Sequence, residues 1–199
     1  MRKLFLYLIA GICFVAFVLL LRVCVVNISW IASGSMLPGF AVHDRLLVNQ
    51  LAWGLNLPFL HHQVQQWHTP ERGDVVLFHN PYDDQRIWMK RVIGLPGDIV
   101  AFHHQQLWIN NQVCVVNAKR YEFLPRSDGR APQGHRIWFS WWEHDWGPIT
   151  VPKGQLFLMG DNRGASDDSR DWGTIAQTQL TGQPWFKLWP LKSFAARVP

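Results

Sequence analysis

The sequence predicts an all-β fold: an antiparallel β-sheet domain with a smaller β insertion, preceded by one N-terminal transmembrane helix. Three observations predict it. Leu4 to Leu21 is an apolar run without a charge or a proline. The remainder breaks into short runs rich in Val, Ile, Phe and Leu. Gly, Pro, Asn and Asp punctuate those runs, and no helical period of convincing length follows the first segment.

The first element is the apolar run. Its 18 residues, at a rise of about 1.5 Å each, extend roughly 27 Å, close to a bilayer core of about 30 Å. Arg2 and Lys3 precede the run, and Arg22 closes it. Positive charge at the start places the N-terminus, residues 1–3, in the cytoplasm and everything after the anchor of residues 4–24 outside. The rival is a cleaved secretory signal. The run is long for that, and no small-x-small site follows it closely. A buried core helix fits less well, because the run lacks a polar face.

The β runs come next, in order: Arg45–Val48, Asp74–His79, Ile87–Ile93, Ile99–His103, Leu107–Asn110, Val113–Val116, Ile137–Trp142 and Gln155–Met159. Turn residues stand between them at Pro38-Gly39, Pro70 to Gly73, Asn80-Pro81, Pro96-Gly97-Asp98 and Gly160-Asp161-Asn162. Tyr121 to Gly134 holds Pro125, Asp128, Gly129 and Pro132 and predicts a long loop. The division expected is a β-domain over 28–98 and 151–199 with an insertion over 99–150. Such a sheet must close or fold over to hide its edges.

Composition narrows the function classes. Apolar residues make 48% of the chain and charged residues 17%, which fits a packed core rather than a disordered tail. The net charge of +5 is scattered, so no nucleic-acid partner is expected. Proximity to anionic lipid suits it better. The 12 Trp suit a membrane interface or a core equally. The 3 Cys cannot make a disulfide framework, and Cys114 stands alone beyond the anchor.

Three motifs carry chemistry. Ser33-Gly34-Ser35-Met36-Leu37-Pro38 presents two hydroxyls around a glycine. A serine in such a turn can face a substrate, with backbone N–H groups near a developing oxyanion, although most serine turns are only turns. Trp88-Met89-Lys90-Arg91-Val92 puts Lys90 on one strand face with apolar Trp88 and Val92. A free lysine is neutral only about once in 2,500 at pH 7, and desolvation lowers its pKa enough to make it a base. The plain alternative is a lysine that snorkels or pairs with an acid. Gly160 to Gly173 is a polar loop dense in Asp, Ser and Arg, suited to orienting other residues. Read as a calcium loop it fails, because Arg163 and Ala165 occupy two ligand positions and no glutamate closes it. The histidines at 61, 62, 68, 79, 103 and 104 match no zinc spacing. No metal and no cofactor are expected.

Taken together, the motifs resemble bacterial type I signal peptidases, the Ser–Lys dyad enzymes that remove signal peptides from exported proteins. The resemblance rests on the anchor, on Ser33 to Pro38, on Arg72-Gly73-Asp74-Val75-Val76, on Lys90 to Asp98, and on Gly160 to Arg163 continuing through Ser166, Asp168, Ser169, Arg170 and Gly173, all in the same order. It implies Ser35 as nucleophile and Lys90 as general base. It implies an oxyanion hole from the Ser33 hydroxyl and the Ser35 amide. Ser166 would orient Lys90, with Asp168 and Arg170 supporting that loop as an ion pair. Ile31, Met36 and Trp88 would line shallow pockets for small side chains such as Ala-x-Ala.

The partners implied are signal peptides and membrane lipid. The place implied is the outer face of a bacterial cytoplasmic membrane, with the chain a single-pass monomer. Ala32 replaces a usual proline, Gly39-Phe40 a Thr-Leu, and His43-Asp44 a Gly-Asp. Two rivals stay open: a related Ser–Lys peptidase dedicated to conjugation or pilin substrates, and a membrane-tethered binding domain without chemistry.

Overall fold

The structure is a computed structural model that describes residues 2–56, 63–104, 106–117, 120–123, 145–190 and 196–197. The chain begins with helix α1 (Arg2–Cys24) and strand β1 (Val26–Trp30), followed by a 3-10 turn at Gly34–Met36. Strands β2 (Arg45–Asn49), β3 (Gly54–Asn56), β4 (Gln63–Gln66), β5 (Val75–Asn80) and β6 (Asp83–Gly94) come next. Then follow β7 (Ile99–His103), β8 (Gln106–Ile109), β9 (Gln112–Asn117), β10 (Arg120–Phe123), β11 (Trp146–Thr150) and β12 (Gln155–Met159). The chain closes with helix α2 (Ser169–Trp172), β13 (Ile175–Ala176), β14 (Leu180–Trp189) and β15 (Ala196–Arg197).

The larger sheet has the order β1-β2-β14-β5-β6-β12-β13, with β15 also on β14. The smaller sheet, β10-β9-β8-β7-β11, uses only residues between Ile99 and Thr150. Every described strand pair is antiparallel. The fold is thus mostly β with antiparallel sheets, as the punctuated Val/Ile/Phe runs predict. Ile137–Trp142 lies outside the described residues, as does most of the Tyr121–Gly134 loop. Tyr121 to Phe123 departs from that expectation: these residues pair with β9 as part of β10.

Burial explains the division into sheets. Ile93, Val100, Phe102, Leu107, Ile109, Cys114, Val151, Phe157 and Met159 pack where the two sheets meet. The crossover at Gly94 has no room for a side chain, since a Cβ there would lie 2.8 Å from Val100 and 2.9 Å from Val151. The turn after it is held by Asp98, which accepts from Leu95 N at 2.6 Å and from Arg72 Nη2 at 2.8 Å.

Helix α1 reaches the sheet only through its neighbour β1 among the larger contacts. Its described apolar side chains are open, with Phe5 65%, Leu6 63% and Phe14 68% exposed. Counting the described residues alone, no helix is long and apolar enough to cross a membrane.

Candidate active site

Lys90 sits in the middle of β6, and its register partner on β5 is Val76. Its strand neighbours Trp88 and Val92 pack in the same apolar cluster as Val76, Phe78, Leu156 and Leu158. The two-residue alternation of a strand therefore aims a lysine into apolar surroundings. Lys90 is only 4% exposed. Its Nζ donates to Ser166 Oγ at 3.0 Å. Among the described residues no carboxylate lies within ion-pair distance of it. Burial holds its pKa below the ordinary lysine value, against the opposing pull of the Asp168 and Asp167 charges. The Trp88 ring stands 5.6 Å from Nζ and meets Tyr82 edge-on.

Ser35 is the middle residue of the 3-10 turn at Gly34–Met36. Ser33 and Ser35 bring their hydroxyls to 3.2 Å of each other. The turn closes through Leu37 N to Gly34 O at 3.2 Å and Phe40 N to Met36 O at 2.9 Å. Ile31 and Met36, on either side of the two serines, are buried with Phe40, Leu46, Val48, Val75 and Leu77. His43 has φ +71°, a region open to glycine and costly for most other residues.

The loop after β12 joins the serine turn to the lysine strand. Asn162 N donates to Ser35 O at 2.9 Å, and Asn162 Nδ2 donates to Gly34 O at 3.0 Å. A Cβ on Gly160 would lie 2.2 Å from Ser166 Oγ and 2.5 Å from Ser35 O. The Ser35 carbonyl and the Ser166 hydroxyl thus crowd one point that only a glycine leaves free. Ser166, which accepts from Lys90 Nζ, thus links the lysine strand to the Ser35 turn.

The loop is itself fixed by Asp168. Its side chain, fully buried, accepts from Gly160 N at 2.9 Å and from Arg170 Nε and Nη2 at 2.7 and 2.8 Å. Arg170 Nη2 also reaches Arg163 O at 2.8 Å and Ser166 O at 3.4 Å. A second bidentate pair, Arg91 with Asp161 at 2.8 and 2.6 Å, holds the start of the loop.

The structure therefore brings Ser33, Ser35, Lys90, Ser166, Asp168 and Arg170 into one connected region. Ile31 and Met36 belong to the apolar cluster flanking the serine turn, and Trp88 stands beside Lys90. The sequence marks Gly160 to Gly173 as an orienting loop but singles out no individual role for Gly160, Asp161, Asn162 or Arg91. Gly160-Asp161-Asn162 was legible as a turn, but its approach to residue 35 spans more than a hundred positions and leaves no local pattern. No group of three or more His, Cys, Asp or Glu with metal-binding geometry occurs among the described residues.

The geometry defines a serine turn, a buried lysine and a loop linking them. The profile of the family described as signal peptidase, peptidase S26, matches residues 4–189. The chain belongs to that family. It is 37% identical to signal peptidase I of Pseudomonas fluorescens over 168 residues, covering 78% of this chain and 58% of that protein. Signal peptidase I of Bacillus caldolyticus is 32% identical over 162 residues, covering 81% of this chain and 78% of its own. A crystal structure of a signal peptidase I from Enterococcus faecalis V583 is 29% identical, with TM-score 0.43, and covers 58% of this chain and 97% of that one. The chain thus spans less than two thirds of the length of the Pseudomonas relative.

Proposed function

We propose that this chain is a membrane-bound serine endopeptidase that removes N-terminal signal peptides from exported preproteins. The observation that carries the proposal is Lys90: a nearly inaccessible lysine with no described carboxylate partner, hydrogen-bonded to a hydroxyl beside the Ser35 turn. A structural lysine in such a place would be costly unless paired. A lysine that must be neutral to work gains from it.

In the proposed reaction, neutral Lys90 Nζ takes the Ser35 hydroxyl proton as Oγ bonds to the scissile carbonyl carbon. The Ser35 N–H and the Ser33 O–H donate to the oxyanion. As the tetrahedral intermediate collapses, the Lys90 ammonium returns its proton to the departing amine, leaving an acyl ester on Ser35. Water then adds to the ester carbon as Lys90 takes its proton. On collapse the ammonium returns that proton to Ser35 Oγ, the acyl–Oγ bond breaks, and the product acid leaves and ionises to the carboxylate. Ser166 holds the Lys90 amine in line at each step, and Asp168 with Arg170 holds Ser166. Ile31, Met36 and Trp88 shape the apolar surroundings that accept small side chains.

The anchor reading rests on the Leu4–Leu21 run and on the exposed apolar side chains of α1. Ser35 follows Arg22 closely in sequence, which suits a substrate still embedded in lipid, on the outer face of a bacterial cytoplasmic membrane. Residues 28–98 and 151–199 form the catalytic domain of this reading and 99–150 its insertion, a division supported by the separate sheet drawn from Ile99 to Thr150.

The test is cleavage of an exported precursor in detergent or vesicles. Wild type releases the signal peptide, and Ser35→Ala and Lys90→Met each fail while remaining folded. Undiminished cleavage by either variant overturns the mechanism. Cleavage confined to one pilin-type precursor would point instead to a dedicated processing enzyme.

A further inference from the structure

The loop that closes the serine turn is gripped from behind by a charged pair outside the catalytic set. Lys187, on β14, donates from Nζ to Asp44 Oδ2 at 2.9 Å and to Gly39 O at 2.8 Å. Its Nζ also lies 5.2 Å from the Phe40 ring centre. The Lys187 side chain is 18% exposed and that of Asp44 5%. This lysine has a carboxylate partner, a carbonyl and a ring. That is the opposite arrangement to Lys90.

The consequence follows from one peptide plane. The unit joining Gly39 to Phe40 is bonded at both ends. Its carbonyl accepts from Lys187, and its N–H donates to Met36 O at 2.9 Å. Met36 is the last residue of the turn that carries Ser35. Asp44 reaches the other side of the serines. Its Oδ2 accepts from Ala41 N at 3.0 Å, its carbonyl accepts from Ile31 N at 3.0 Å, and His43 N donates to Ile31 O at 2.8 Å. Ile31 and Met36 bracket Ser33 and Ser35, so both shoulders of the turn are tied to one ion pair.

The foundation of that pair is firm. Strand β14 lies inside the larger sheet, and at Lys187 it pairs with Leu46 of β2 on one side and Ala196 of β15 on the other. The loop it holds contains His43 at φ +71°, a conformation that persists only when its surroundings over-determine it. The Lys187–Asp44 pair, with three backbone groups attached, supplies such surroundings.

We propose that Lys187 and Asp44 are positioning residues for the nucleophile turn: they transmit the rigidity of β14 through the Gly39–Phe40 peptide to Ser35. The proposal deepens the peptidase reading and rests on it for its catalytic consequence. A displacement of about 1 Å in a reacting group costs about a hundredfold in rate, so the pair acts on kcat and leaves KM largely unchanged.

The experiment compares wild type, Lys187→Met, Lys187→Arg and Asp44→Asn, with kinetics on an exported precursor and amide hydrogen exchange at Phe40. The methionine keeps the apolar stem and loses the charge. Arginine can span the carboxylate and the carbonyl with separate N–H groups. The expected result is a fall in kcat of about tenfold to a hundredfold for Lys187→Met, KM within about twofold of wild type, partial recovery in Lys187→Arg, and faster Phe40 exchange in the methionine variant. Asp44→Asn, nearly isosteric, should fall in the same direction if Lys187→Met does not fold. Unchanged kcat in folded Lys187→Met and Asp44→Asn overturns the proposal. So does a loss equal in Lys187→Met and Lys187→Arg, or one that merely tracks the unfolded fraction. If wild type fails to cut any precursor, the peptidase reading falls, while Phe40 exchange still decides whether the pair holds the turn.

Discussion

Lys90 Nζ lies 3.0 Å from Ser166 Oγ, and that hydroxyl crowds the same point as the Ser35 carbonyl. Ser166 is therefore the contact through which the lysine strand and the serine turn share one geometry. Ser166→Ala removes the partner without leaving a charge behind. It should lower kcat by about tenfold to a hundredfold, with little change in KM. Measuring both constants on a signal-peptide substrate checks this.

The pH dependence follows from the direction of the Lys90 shift. Burial disfavours the ammonium and brings its pKa below 10.5. In the proposed reaction Lys90 acts only when neutral, so that proposal predicts activity rising with pH through the lowered value and then levelling off. A flat kcat/KM between about pH 6 and 9 contradicts the role, provided that chemistry limits the rate.

The same shift has a stability consequence. Between the lowered folded pKa and the unfolded value near 10.5, the unfolded chain binds a proton on Lys90 that the folded chain does not. Folding stability from this group therefore rises with pH through that window and is constant below it. Lys90→Met should be more stable than wild type at neutral pH. The advantage should shrink as pH approaches 10. Denaturant unfolding at pH 7 and pH 10 gives both numbers.

Gly160→Ala tests the meeting point itself. The added methyl would stand 2.5 Å from a backbone carbonyl and 2.2 Å from a buried hydroxyl, so the turn or the loop must move. Overpacking of this kind costs about 1–3 kcal/mol. We expect a folded enzyme with a lowered melting point and at least about a hundredfold loss of kcat.

Much of this was legible in the sequence, for identifiable reasons. Lys90 was readable because alternation alone places it between Trp88 and Val92, and the structure buries Lys90 and Val92 and half-buries Trp88 against the same apolar cluster. The strands from Ile99 to His103 and from Gln155 to Met159 carry dense apolar runs and stand where expected. Strand β1 was missed because it is half polar and exposed, with Asn27 and Ser29 along it. Strand β14 was missed because Gly182 and Pro184 interrupt it. Its pairing with β2 shifts register after Pro184, so the break in the pattern is real although the strand continues. The links from Asn162 to residues 34 and 35, and from Lys187 to residue 39, join distant segments through backbone carbonyls. Any residue offers a carbonyl, so no residue type signals them.

The Asp168–Arg170 pair shows how a buried ion pair differs from a surface one. The two side chains are 0% and 3% exposed. Removing one partner leaves a charge without compensation, which costs about 3–5 kcal/mol. Arg170→Met should therefore destabilise strongly, because the Asp168 carboxylate keeps only backbone donors such as Gly160 N at 2.9 Å. Adding Asp168→Asn removes that charge while retaining an oxygen for the Gly160 N–H. The double variant should recover part of the stability lost by Arg170→Met, so the two changes should be strongly non-additive. Activity should not recover in parallel. Arg170 also holds the carbonyls of Arg163 and Ser166, and an asparagine at 168 supplies nothing to either. A thermodynamic cycle over the four proteins, with kcat measured on each, separates the two roles. Full rescue of both stability and kcat by the double variant would show that the pair matters only as charge compensation and does not hold Ser166 in place.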